Sequence, residues 1–164
     1  MSMDTDIERA AKAVATALEA VSDTERPMTR ERILAFEREL AKIPQFDFPV
    51  KHYFSKGVYA REIFIPAGFC LTGKIHRFEN LNIVSKGRLV VVTEQGRQIV
   101  SAPFTIVSPP GTKRIGFALE DTVWTTIHPN PTEELDLVAL EEMFIVKSFE
   151  ALEAPDKTLI LEGN

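Results

Sequence analysis

The spacing of apolar residues changes period twice along this chain. Ile7, Ala11, Val14, Leu18 and Val21 recur at alternating steps of four and three, which gathers them on one face of a helix. Thr5 followed by Glu8 fits a capping box at its start, each side chain satisfying a backbone N–H that the first turn leaves open. The stripe is thin and alanine-rich, so this helix is expected to dock on something larger. A second helix is predicted from Thr29 as N-cap, with Ile33, Phe36, Leu40 and Ile43 on its inner side and Arg30, Glu31, Arg32 and Glu39 in water. Met28 and Ile33 stand at the positions of a hydrophobic staple, and Pro44 stops the helix because its ring clashes with a continuing turn.

From about Phe46 the texture becomes that of strands. Short β-rich runs, Val58–Ile65, Phe69–His76, Leu81–Val84, Arg88–Thr93, Arg97–Val100, Phe104–Ser108, Thr112–Ala118 and Thr122–His128, alternate with turn residues. Pro66-Ala67-Gly68, Ser85-Lys86-Gly87, Glu94-Gln95-Gly96 and Pro109-Pro110-Gly111 punctuate them. Many short strands without helical crossovers predict a β-sandwich or barrel and argue against a parallel α/β sheet. After Pro131 the helical period returns with Leu137, Leu140, Glu141 and Phe144, capped by Thr132 or Asp136. In the tail from about Glu153, Leu159-Ile160-Leu161 could form a short edge strand. The expected organisation is a helical extension over residues 1–45, a β-barrel over 46–131, and a helix and tail over 132–164. No polar linker separates these parts, so they are read as one domain.

Composition narrows the function. Among 164 residues, 45% are hydrophobic and 26% charged, the balance of a globular protein, and the net charge is −5. An acidic chain offers no general face for phosphate backbones, so a nucleic-acid polymer is not an expected partner, although a local basic pocket remains possible. Cys70 is the single cysteine, which rules out an intrachain disulfide and argues against a Cys-based zinc site. No apolar run approaches the roughly 20 residues of a membrane helix. The acidic start lacks the order of a signal peptide, so no membrane association is expected and the cytoplasm is the expected location. No nucleophile elbow, P-loop or dinucleotide fingerprint appears. Cys70 reads as a buried structural thiol, and Trp124, Phe104 and Phe117 as packing residues.

Gly68, then Lys74 and His76, then Asn80, then Gly87 have the spacing of the first cupin motif: glycine, His-x-His, glutamate, glycine. Pro109-Pro110-Gly111 followed by Arg114 resembles the second motif, Pro-x-Gly-x-x-His, and Leu119-Glu120-Asp121-Thr122 looks like the late cupin hairpin. The resemblance covers about Val58 to Pro129. It implies a mainly β fold, a single cupin-like (jelly-roll) β-barrel with two N-terminal helices and a short C-terminal helix. In texture the chain is similar to small cupin-like proteins encoded by tailed bacteriophages, which would place it in the host cytoplasm.

The departures from that family carry the functional content. Where metal cupins place His, His, Glu and His, this chain has Lys74, His76, Asn80 and Arg114. Lysine and arginine are cationic donors that repel a divalent ion, so neither a metal nor any other cofactor is expected there. Lys74 and His76, at i and i+2, share a strand face; in the cupin register that face is the barrel interior, with Arg114 entering from a neighbouring strand. Such a cluster would recruit a carboxylate or phosphate, with Asn80 orienting a base, hydroxyl or amide. Blander readings stand beside this one. Lys74 could pair with Glu62, Arg114 could serve Glu120 or Asp121, His76 could be a core histidine, and Asn80 could close a turn. A three-imidazole metal site of His52, His76 and His128 is a further alternative, although no acidic ligand accompanies it, and His128 could instead cap a strand end.

Three functions follow as candidates: a non-catalytic barrel binding a small anion such as a metabolite or nucleotide; a phage structural or assembly protein using the barrel for oligomerisation; and a cupin enzyme, a metal-dependent or metal-free isomerase or oxygenase with a degenerate ligand set. A homodimer or higher homo-oligomer is also expected. If Arg114 faces inward, Ile115 and Phe117 face outward and need cover from the N-terminal helices or a second barrel.

Overall fold

A computed structural model describes residues 29–153 of the chain. The helix predicted over Thr5–Val21, Met28 of the staple and the tail strand at 159–161 lie outside the described residues. Helix α1 (Arg30–Leu40) precedes ten strands: β1 (Val50–Ser55), β2 (Gly57–Ile65), β3 (Cys70–Thr72), β4 (Ile75–His76), β5 (Asn80–Lys86), β6 (Arg88–Thr93), β7 (Gly96–Ser101), β8 (Phe104–Ser108), β9 (Ile115–Ala118) and β10 (Thr122–Asn130). Helix α2 (Leu137–Phe144), strand β11 (Ile145–Val146) and helix α3 (Phe149–Glu153) follow.

The strands form an antiparallel five-stranded sheet in the order β1-β2-β10-β5-β8 and a four-stranded sheet in the order β3-β9-β6-β7, with β4 and β11 paired separately. This mainly β arrangement of two facing antiparallel sheets has the layout of a jelly roll. Ile63, Ile65, Val84 and Trp124 of the first sheet and Leu89, Val91, Val100 and Ala118 of the second form one core between them. Gly87 makes the tight connection from β5 to β6: its φ is +85°, and a Cβ there would lie 2.3 Å from the Asp121 carbonyl oxygen. No other residue type fits both the backbone angle and that approach.

Within β6, residues 89–92 are apolar without alternation because both faces of the sheet are covered there. Leu89 and Val91 point into the barrel, while Val90 and Val92 join Ile115, Cys70 and Ile33 in a second cluster, with Phe36 and Phe117 packed against it. Burial pushes the Cys70 thiol up to about 12, so it is protonated and inert at neutral pH. Thr29 caps α1, its hydroxyl accepting from the Arg32 N–H. Ile33 is fully buried under that helix, a burial worth about 1.5–3 kcal/mol. The cover that Ile115 and Phe117 require is therefore the chain's own α1, and this face supplies no reason for a second copy. Asp136 caps α2 by accepting from the Val138 and Ala139 N–H groups, and α2 sets Leu140 and Phe144 against Tyr59 at one end of the barrel. Among the described residues no helix is long and apolar enough to cross a membrane.

Candidate functional site

Between the sheets a cavity of about 460 Å³ opens toward α2 and β11. Strand register sorts its lining into levels. At the mouth, Tyr59 of β2 stands opposite His128 of β10. Two residues further along, Arg61, Thr126 and Asn82 align across β2, β10 and β5, and beyond them come Ile63 and Trp124. On the other sheet Leu71, Gly116 and Val91 align across β3, β9 and β6. The period of two thus carries each strand from an aromatic mouth through a polar level to an apolar floor.

The mouth is a stack of nearly parallel rings. His76 and His128 lie 5.1 Å apart at 10°, His128 and Phe144 4.3 Å apart at 16°, and Tyr59 and His128 6.1 Å apart at 17°. His52 extends the series, with its Nδ1 2.8 Å from the Tyr59 hydroxyl. Burial among these rings lowers the pKa of His76 to about 3, helped by His128, Arg114, Arg61 and Lys74, and burial lowers that of His128 to about 4. Both imidazoles are neutral at pH 7. Their Nδ1 atoms are buried without a hydrogen-bond partner, so any contact with a molecule in the cavity goes through the opposite edge of each ring.

The polar level is a wired network. Asn82 Nδ2 donates to Ser108 Oγ at 2.9 Å and to Asn80 Oδ1 at 2.8 Å. Asn82 Oδ1 accepts from Trp124 Nε1 and Thr126 Oγ1, each at 2.9 Å. Arg114 Nη2 donates to the same Ser108 hydroxyl at 2.7 Å, and its guanidinium carbon lies 5.2 Å from the centre of the Trp124 ring. Gly73 leaves room for this side chain: a Cβ there would sit 3.0 Å from Arg114 Cγ. Arg114 is only half-buried because the cavity itself is open, yet desolvation is strong enough to lower its pKa to about 10. It remains charged at neutral pH, and no carboxylate pairs with it among the described residues.

Of the candidate site residues singled out in the sequence, Lys74, His76, Arg114, His52 and His128 line this one cavity. Lys74 sits at the rim, exposed, in an ion pair with Glu141 of α2 rather than with Glu62. Glu120 and Asp121 are engaged elsewhere, with Arg88 and the Ala67 N–H. Asn80 is buried but lies outside the cavity, its Nδ2 donating to the Phe78 carbonyl and its Oδ1 occupied by Asn82. Asn82, Tyr59, Arg61 and Thr126 were not singled out. The alternation Tyr59-x-Arg61-x-Ile63-x-Ile65 and the pair Asn80-x-Asn82 carried the signal for the inward face.

The donor set does not fit the metal that cupin barrels commonly hold. Lys74 and Arg114 are cations at two of the four positions, and Asn80 has turned away. His52, His76 and His128 all line the cavity, but Tyr59 stands between His52 and His128 and engages His52. Among the described residues no three His, Cys, Asp or Glu side chains come together to hold a metal ion.

No protein-family model matches the chain, and no curated protein matches it. Solved structures do. A cupin-2 domain containing protein from Shewanella frigidimarina is similar at 15% identity and a TM-score of 0.42, over 58% of this chain and 92% of that one. A protein from Photorhabdus luminescens is similar at 14% identity and a TM-score of 0.47, over 60% and 88%. KdgF from Halomonas sp. is similar at 19% identity and a TM-score of 0.43, over 52% and 87%.

Proposed function

We propose that this cupin-like barrel binds a small anion in its cavity, without a metal and without catalysing a reaction on it. The observation that carries the reading is Arg114: a desolvated guanidinium lining a cavity, with no carboxylate partner among the described residues. A cation held in such a place without a counter-charge costs free energy that a bound anion recovers. The guanidinium has five N–H donors and gives one to Ser108, so a fork remains for a carboxylate or phosphate. Among the described residues no carboxylate is hydrogen-bonded to His76 or His128 to orient it as a base, which supports binding rather than reaction.

The test is thermal melting of the purified protein with acetate, inorganic phosphate and adenosine monophosphate, each against sodium chloride at matched ionic strength. An anion present at about 100 times its dissociation constant adds about 2.7 kcal/mol to the folded state. Stabilisation by at least one of them, lost in Arg114→Ala, is the expected result. No stabilisation by any anion, together with a stable oligomer by light scattering, would replace this reading with that of an assembly scaffold.

A further inference from the structure

The anion-site reading leaves the ligand's chemistry open, and the distribution of polar capacity within the cavity narrows it. Resting on that reading, we propose that the cavity takes a monocarboxylate with an apolar body, its carboxylate on Arg114 and its body against Ile63, Leu71, Leu89 and Val91.

Three observations lead there. Among the described residues, three cations line the cavity, Arg61, Lys74 and Arg114, and Arg114 is the one of them that is half-buried. Lys74 is exposed and already paired with Glu141, Arg61 is exposed and solvated, and the histidines are neutral. A single interior charge matches a monoanion. A phosphate dianion on Arg114 would have only the exposed, solvated Arg61 and Lys74 to meet its second charge.

The amide and hydroxyl side chains of the polar level, which would read a nucleobase or a sugar, are already committed to one another. Asn82, the one amide lining the cavity, has its Nδ2 on Ser108 and Asn80 and its Oδ1 on Trp124 and Thr126. The same network occupies the Trp124 N–H and the Thr126 hydroxyl. A base brought beside them would find its own donors and acceptors unmatched, which opposes binding.

The floor beneath Arg114 is hydrocarbon and roomy. Ile63, Ile65, Leu71, Leu89 and Val91 line it with the Trp124 ring. A Cβ at Gly116 would make only ordinary contact with Leu71 and Leu89, at 3.7 Å each, so the space between these side chains is not filled. A body lowered into this space gains burial at every carbon, whereas a small polar anion such as phosphate would leave it empty.

Isothermal titration of the full chain with straight-chain monocarboxylates from acetate to nonanoate tests the proposal, with hexanamide, inorganic phosphate and adenosine monophosphate as comparisons. Affinity should rise about fourfold per methylene until the floor is filled, the factor that about 0.8 kcal/mol per buried methylene implies. Hexanamide should bind at least tenfold more weakly than hexanoate, and Arg114→Ala should erase that difference. Val91→Phe, which fills the floor, should abolish the rise with chain length. Leu71→Phe, at a half-buried position, makes the same reading if the first variant does not fold. If phosphate or adenosine monophosphate binds as tightly as hexanoate and depends on Arg114, the carboxylate inference fails while the anion site stands. Binding that ignores both chain length and Arg114→Ala, or no binding by any anion, overturns both.

Discussion

Lys113 and Arg114 are neighbours on one loop, and the barrel treats them in opposite ways. Lys113 turns outward beneath α1, where it is 5% exposed and its ammonium meets Glu37 at 2.5 Å. Thr72 donates to the same carboxylate at 2.8 Å. Arg114 turns inward and meets a hydroxyl, an indole face and an open cavity. The first cation is neutralised by the chain itself, so its role is to fasten α1 over the sheet. The second is not, so the fold keeps a charge where burial opposes it and leaves its partner to be supplied. A buried cation becomes informative about function when the protein has not provided its counter-charge.

Acid should separate the two regions most. His76 faces His128, Arg114, Arg61 and Lys74, His128 is shifted by burial, and Glu141 is the acid lining the same cavity. Above pH 6.5 both rings are neutral folded or unfolded and impose no penalty. Below it the unfolded chain takes up protons that the native rings refuse until about pH 4 and about pH 3. Stability is therefore lost as pH falls, by about 2 kcal/mol per ring between pH 7 and pH 5. Urea unfolding at the two pH values should show a much smaller loss in the double variant His76→Leu, His128→Leu. Equal losses in both proteins would contradict the desolvation argument.

Removing partners should break the contrast from the other side. Glu37→Ala leaves the Lys113 ammonium buried and unpaired. A fully buried pair costs about 3–5 kcal/mol to break in this way, and the partial exposure of Glu37 reduces the expectation to about 2–3 kcal/mol. Arg114→Met should do the reverse, leaving the ligand-free protein unchanged or raising its stability by about 1 kcal/mol, because a desolvated charge is replaced by a thioether of similar length. Denaturant midpoints measure both, and a large loss from Arg114→Met would make that residue structural.

Most of the fold was legible because period and turn residues are local signals. The runs at Arg88–Thr93 and Phe104–Ser108 match β6 and β8 at both ends, and Thr29 and Asp136 cap the helices expected of them. Strand β1 was missed because Val50–Ser55 is an edge strand, largely exposed and without alternation. The run Phe69–His76 divides into β3 and β4 around Gly73, where Arg114 crosses. The site was legible only as far as one strand's alternation reached: Lys74 and His76 share their cavity with Arg114. That Asn80 yields its place to Asn82 depends on a hydrogen-bond network spanning β5, β8 and β10. No spacing within a single strand encodes it. The cover over Ile115 and Phe117 likewise depends on where α1 docks.

Lys74 should give the smallest effect, and that smallness sharpens the comparison. The motif spacing places it beside His76, yet its ammonium is exposed and bound to Glu141 on the helix that roofs the cavity. An exposed pair of this kind contributes about 0.2–1 kcal/mol and is screened by salt. Lys74→Ala should lower stability by no more than about 0.5 kcal/mol, an effect that fades as salt is raised. Any anion seeking Lys74 must compete with a carboxylate already in place, so the same variant should weaken anion binding far less than Arg114→Ala does. Glu141→Gln tests the point from the opposite direction. Freed from its partner, Lys74 adds its charge to the rim, and anion affinity should rise modestly at low salt and return to the parent value at high salt. If Lys74→Ala instead abolishes binding as completely as Arg114→Ala, the rim is part of the site and the ion pair with Glu141 opens when the anion arrives.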